Sequence, residues 1–85
     1  MTTEQNTVAT APARVVDARN VLCPTPIVRL TAAIRELPVG ASLRLIATDP
    51  GSDADVRAWA VESGHELVEA GRTGGEYHFV VRRTH

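Results

Sequence analysis

The chain has no lysine, one cysteine, and one residue each of tryptophan, tyrosine and phenylalanine in 85 positions. Each scarcity removes a class of chemistry. Without lysine there is no Schiff-base amine and no P-loop lysine to hold a phosphate. A lone cysteine closes no intramolecular disulfide, which argues against a disulfide-stapled secreted domain. No apolar run approaches the roughly 20 residues that span a bilayer, so no membrane association is expected. Residues 1–13 have neither the basic start nor the apolar core of a secretory signal, and no strong apolar period. They are expected to form a disordered tail, and the expected location is cytoplasmic.

Charge is balanced. Nine arginines face ten acidic residues, for a net charge of −1. No basic stripe stands out, so direct nucleic-acid binding is not expected. What remains, residues 14–85, is one small domain. A chain of this size buries only about 60% of its unfolded surface. That supports one two-layer core and no deep pocket for a large cofactor, so binding is expected at a surface or an edge.

The pattern within this body predicts the order β-α-β-α-β-β. Arg14 to Asp17 is short and β-branched, a first strand. Ile27, Leu30, Ile34 and Leu37 recur at three- and four-residue steps, a helix stopped by Pro38 and Gly40. Ser42 to Thr48 reads as a second strand, closed by Asp49-Pro50-Gly51. Ser52 is the expected N-cap of a second helix, with Asp55 three residues on completing a variant capping box. Val56, Trp59 and Ala60 supply its buried stripe and Gly64 its stop. Leu67–Ala70 and Tyr77–Arg82 form a hairpin around a turn at Gly71–Gly75. A right-handed parallel crossover followed by a hairpin gives a four-stranded mixed sheet, with two helices on one face. The fold class is an α/β (α+β) two-layer sandwich.

The most informative stretch is Asn20-Val21-Leu22-Cys23-Pro24-Thr25-Pro26. Proline is tolerated in a first helical turn, where the amide it lacks would have no intrahelical partner. With Pro24 as the first helical residue, Cys23 becomes the N-cap, and the extended backbone forced before a proline suits that position. An N-cap sulfur lies over the positive end of the helix dipole, near the Thr25 and Ile27 amides. Its thiolate should be stabilised and its pKa lowered, which makes Cys23 a reactive nucleophile. Pro26 stiffens the turn. Asn20 tolerates the left-handed backbone that a sharp strand-to-helix turn needs. If the first two strands are parallel, Asp49 shares the carboxyl-terminal edge of the sheet with Cys23, where open α/β sheets place their sites. There it would cap the second helix or shape the entrance. Arg19 and Arg29 are candidate partner contacts near the site.

At these residues the sequence resembles the TusA-like (SirA-like) sulfur-carrier family, over Val16 to Arg83. The Cys-Pro-x-Pro box stands as Cys23-Pro24-Thr25-Pro26. Asp17 precedes it; Gly40, Asp49-Pro50, Asp55, Trp59 and Gly64-His65-Glu66-Leu67 follow at the family's spacings. The resemblance implies the same two-layer fold. It also implies a sulfurtransferase-type carrier that accepts sulfane sulfur from a cysteine desulfurase or rhodanese-type donor. The sulfur would be held as a persulfide on Cys23 and passed to an acceptor protein, with no cofactor. Similar carriers serve transfer-RNA thiolation, molybdenum-cofactor maturation and sulfur-compound oxidation. Three departures stand out. Asn20 replaces the usual glycine, Thr25 replaces a common glutamate, and Ala60 occupies a position where some members carry a second cysteine. Without that second thiol, release of sulfur must be intermolecular.

Competing readings fit the residues less well. Cys23 with His65, His78 or His85 matches no zinc spacing, and Asp49, Asp53 and Asp55 lack the glycine and distal glutamate of a calcium loop. No metal site is expected. A thiol–disulfide oxidoreductase needs a second cysteine where Pro26 stands. The Tyr77, Phe79 and Val81 alternation reads as core, as does Trp59. The remaining alternative is a non-catalytic binding or redox-sensing regulatory module in which Cys23 transfers nothing.

Overall fold

The computed structural model describes residues 12–85. Residues 1–11 of the expected tail lie outside it. Ala13, at the tail's end, donates its N–H to the Ser42 carbonyl at 2.7 Å and so belongs to the folded body.

The elements follow the predicted order: β1 (Arg14–Ala18), α1 (Thr25–Arg35), β2 (Ser42–Ala47), α2 (Ser52–Ser63), β3 (Glu66–Thr73) and β4 (Glu76–Arg82). The sheet runs β1-β2-β4-β3, with β1 parallel to β2 and the other two pairs antiparallel. Alternate residues of three strands point to one face: Val16 and Ala18, Leu43 and Leu45, Phe79 and Val81. Leu30 and Ile34 of α1 and Val56 of α2 complete the same buried cluster, so both helices cover that face. Phe79 is fully buried at the centre. Trp59 and Tyr77 pack against the cluster from its margin.

Two boundaries away from the cysteine differ from the sequence reading. The hairpin strands extend further, with Gly71, Arg72 and Thr73 paired to His78, Tyr77 and Glu76, so the turn contracts to Gly74-Gly75. Residues 71–73 carry no apolar alternation, which is why they read as loop. Gly74 at φ 60° supplies the left-handed backbone that a two-residue hairpin turn requires.

The start of α2 also differs. Gly51 takes the N-cap position, Ser52 is the first helical residue, and no side-chain cap forms. Ser52 is buried, with its hydroxyl unpaired among the described residues. The expected capping box is replaced by Asp49. Its carbonyl accepts the Ser52 N–H (3.0 Å) and its carboxylate accepts the Gly51 N–H (3.4 Å). Gly64 ends the helix as predicted, left-handed at φ 81° and donating its N–H to the Ala60 carbonyl at 3.0 Å.

Candidate functional site

Parallel pairing of β1 and β2 brings their last residues, Ala18 and Ala47, opposite each other. The two following loops therefore leave the same edge of the sheet, and hydrogen bonds tie them together. Asn20 donates its N–H to the Thr48 hydroxyl (2.8 Å), and Cys23 donates its N–H to the Asp49 carboxylate (2.9 Å). Asn20 has φ 63°, the left-handed conformation its residue type was expected to accept. Asp49 thus joins the two loops, one oxygen on the Cys23 amide and the other on the Gly51 amide.

On one side of the Cys23 loop lies a polar cavity lined by Asp17, Arg19, Asn20, Arg29, Thr48 and Glu76. Its two carboxylates are paired. The Arg19 guanidinium donates to both Asp17 carboxylate oxygens (3.0 and 2.9 Å) and reaches Glu76 at 3.4 Å. Arg29 donates to the Asp17 carbonyl at 2.8 Å. The side-chain and backbone hydrogen bonds from Arg19 hold the Asp17 carboxyl down at about 2. Side-chain hydrogen bonds to Asp17 and Glu76 raise the Arg19 pKa above its ordinary value. Both arginines singled out as partner contacts are thus engaged within the chain, and neither lines the groove at the sulfur.

Cys23 is exposed and lines a different cavity from the one above. Its setting differs from the sequence reading in two linked ways. The helix begins one residue later than expected, with Pro24 as N-cap and Pro26 in the first turn, and Cys23 lies just outside it. The Cys23–Pro24 peptide bond is cis. The Thr25 N–H, expected to face the sulfur, donates instead to the Leu22 carbonyl at 2.9 Å. The sulfur turns to α2, where Sγ donates to the Asp55 carboxylate at 2.6 Å. That hydrogen bond raises the thiol pKa above its ordinary value, with smaller contributions from desolvation and the charges of Asp55 and Asp49. The expected lowering by the helix dipole is therefore overturned. A carboxylate in contact outweighs partial charges at a helix end that the sulfur does not cap.

Cys23, Pro24, Ile27, Asp55, Ala58, Trp59 and Glu62 border a shallow groove of about 280 Å³ between the two helices. Trp59 is anchored there by an indole N–H donated to the Thr31 hydroxyl at 3.1 Å. The volume lies just below the range of about 300–1,000 Å³ that encloses small-molecule ligands. Asp55 and Glu62 were absent from the sequence-derived site. The signal for Asp55 was present but read as a helix cap: a helix following β2 starts at the edge where the Cys23 loop ends, so a first-turn carboxylate can face that loop.

A small two-layer α/β domain with one exposed thiol at its parallel edge, fastened by an Asp-Pro loop, defines the class of protein. The profile of the family described as "Sulfurtransferase TusA" matches residues 14–83, and this chain belongs to that family. It is 40% identical over 68 residues to the sulfur carrier protein TusA of Allochromatium vinosum, covering 80% of this chain and 90% of that one. It is 39% identical over 70 residues to the putative sulfur carrier protein YrkI of Bacillus subtilis, covering 82% and 93% of the two chains. The crystal structure of a SirA-like protein from Desulfitobacterium hafniense has the same fold, with a TM-score of 0.74 at 20% identity over 85% of this chain and 99% of that one.

Proposed function

We propose that this protein is a sulfur carrier whose Cys23 accepts a sulfane sulfur as a persulfide and relays it to an acceptor protein. The observation that carries this reading is the exposed Cys23 thiol inside the Cys-Pro-x-Pro box. Membership of the family and the names of its relatives as sulfur carriers support it.

In the loading step, the Cys23 sulfur attacks the outer sulfur of a donor persulfide, R–S–SH. The Sγ–S bond forms, the donor S–S bond breaks, and its electron pair stays on the inner donor sulfur. The Cys23 proton ends on that sulfur, giving R–SH and Cys23–S–SH with no external oxidant or reductant. Handover repeats the exchange with an acceptor thiol. Donor and acceptor are proteins on this reading, the donor being a cysteine desulfurase or rhodanese-type enzyme. Three-quarters of Leu22 is exposed beside the thiol, and Pro24, Ile27 and Trp59 border the groove. This apolar surround suits a protein loop delivering its own sulfur better than a free small molecule.

The test is intact mass after incubation with a cysteine desulfurase and cysteine. Wild type should gain the mass of one sulfur and Cys23→Ser none. Equal gain by both proteins would sink the proposal. The substitution should leave the fold unchanged, because the side chain it alters is exposed.

A further inference from the structure

We propose that Asp55 is a positioning residue that holds the empty Cys23 sulfur as a neutral thiol against α2 and releases it once sulfur is loaded. The inference rests on the carrier reading and deepens it. Its basis is the contact between the Asp55 carboxylate and Sγ, at 2.6 Å across the groove between the helices. A carboxylate accepts a hydrogen bond from a thiol and repels a thiolate, so this partner favours the protonated form.

The other charge that acts on the sulfur, that of Asp49, works in the same direction. Asp49, from the loop after β2, holds the Cys23 amide, and Glu62 borders the groove further along α2. From α1 the groove receives only the apolar Ile27. The positive charges of Arg19 and Arg29 line a separate cavity that does not include Cys23. Among the described residues, Asp49, Asp55 and Glu62 form no ion pair. The empty carrier thus rests as a protonated thiol, which slows adventitious alkylation and oxidation and slows loading by the same factor, since each requires the thiolate.

Loading reverses the sign of the contact. A persulfide is a stronger acid than its parent thiol, and its outer sulfur is ionised at neutral pH. The inner sulfur then has no proton to donate, and the new anion meets the charges of Asp55 and Asp49. The Asp55 contact becomes repulsive, and the sulfane sulfur is pushed toward solvent, where an acceptor can reach it. One side chain therefore distinguishes empty from loaded carrier by charge alone.

The experiment measures the rate of iodoacetamide alkylation against pH, followed by intact mass, for wild type, Asp55→Asn, Asp55→Glu and Glu62→Gln. The empty Asp55→Asn protein should show a midpoint about one pH unit lower, and alkylate up to about tenfold faster at pH 7, since one unit is a factor of ten. Asp55→Glu should retain a midpoint above that of Asp55→Asn, and Glu62→Gln should shift it less. A structural role alone would leave the midpoint in place. In protein loaded by a cysteine desulfurase with cysteine, the Asp55→Asn and wild-type rates at pH 7 should agree within about twofold. An unchanged midpoint in the empty protein, or an equal acceleration in the loaded one, would overturn the proposal. Failure of the carrier reading is separately visible: wild type would take up no sulfur while the empty-state midpoint still fell. That outcome would overturn release on loading as well.

Discussion

The loop from Arg19 to Pro24 separates two small polar regions that differ in how their charge is balanced. On one side, Asp17, Arg19 and Glu76 form a compensated cluster, with Arg29 on the Asp17 carbonyl. On the other, Asp49 and Asp55 approach Cys23 from two elements with no cation between them among the described residues. Both regions hold a pair of carboxylates, yet they do different things. Where each carboxylate meets a guanidinium, charge fixes the shape of a loop and is largely spent doing so. Where carboxylates meet a thiol, charge sets a protonation state, the property on which sulfur exchange depends.

The largest expected effect is on the unbalanced side. Asp49→Ala removes the acceptor for both the Cys23 and Gly51 amides, and a hydrogen bond to a charged group contributes about 1.5–3 kcal/mol. Urea unfolding should therefore show a loss of about 2–3 kcal/mol, accompanied by a lower Cys23 alkylation midpoint. A stable variant with an unchanged midpoint would show that Asp49 shapes nothing here.

Backbone geometry comes next. Asn20→Val places a β-branched residue at φ 63° and should cost about 1–2 kcal/mol, whereas Asn20→Gly should be neutral or better. Equal stability of the two variants in the same urea assay would remove the left-handed turn as a constraint.

A sharper probe of the comparison is Asp17→Asn. It breaks the compensated pair and should leave the Cys23 midpoint within about 0.2 pH units of wild type, since screened charges on the far side of the loop contribute little. A shift as large as that of Asp55→Asn would mean the two regions are one electrostatic unit.

The smallest effects are the pH dependences of stability. Asp17 has a folded-state pKa of about 2 against an ordinary 3.8. Its contribution is fully present above pH 3.8 and is lost as pH falls through about 2. A carbon-detected NMR titration of the Asp17 carboxyl should show that low midpoint. Cys23 runs the other way. Its pKa is raised from an ordinary 9.0, so its hydrogen bond to Asp55 stabilises below pH 9 and fades as pH climbs through the higher folded value. A thermal midpoint that rose between pH 9 and 11 relative to Cys23→Ser would contradict this sign.

Much of the architecture was legible because it is written in short-range patterns. The three- and four-residue steps of Ile27, Leu30 and Ile34 have only one helical solution, and the alternation through Tyr77, Phe79 and Val81 only one strand solution. Asn20 and Gly64 announced left-handed backbone by residue type. The ends of β3 and β4 were less legible, because Gly71-Arg72-Thr73 join the ladder through backbone pairing that leaves no mark on side-chain pattern. Arg19 and Arg29 stood out as free charges for a related reason: sequence does not show that Asp17 and Glu76 fold back onto the same loop.

The sequence by itself determined the two-layer order of elements, the one sulfur, and the proline box that starts a helix beside it. Tertiary structure alone decided what that sulfur touches. Packing of α2 against α1 carries Asp55 across 32 positions of chain into contact with Cys23. Local reasoning about a helix end predicts an acidified thiol; the folded chain supplies a nearer and stronger charge of the opposite effect. Electrostatic energy depends on distance through space, and at this site the shortest distance is the one that separation along the chain conceals.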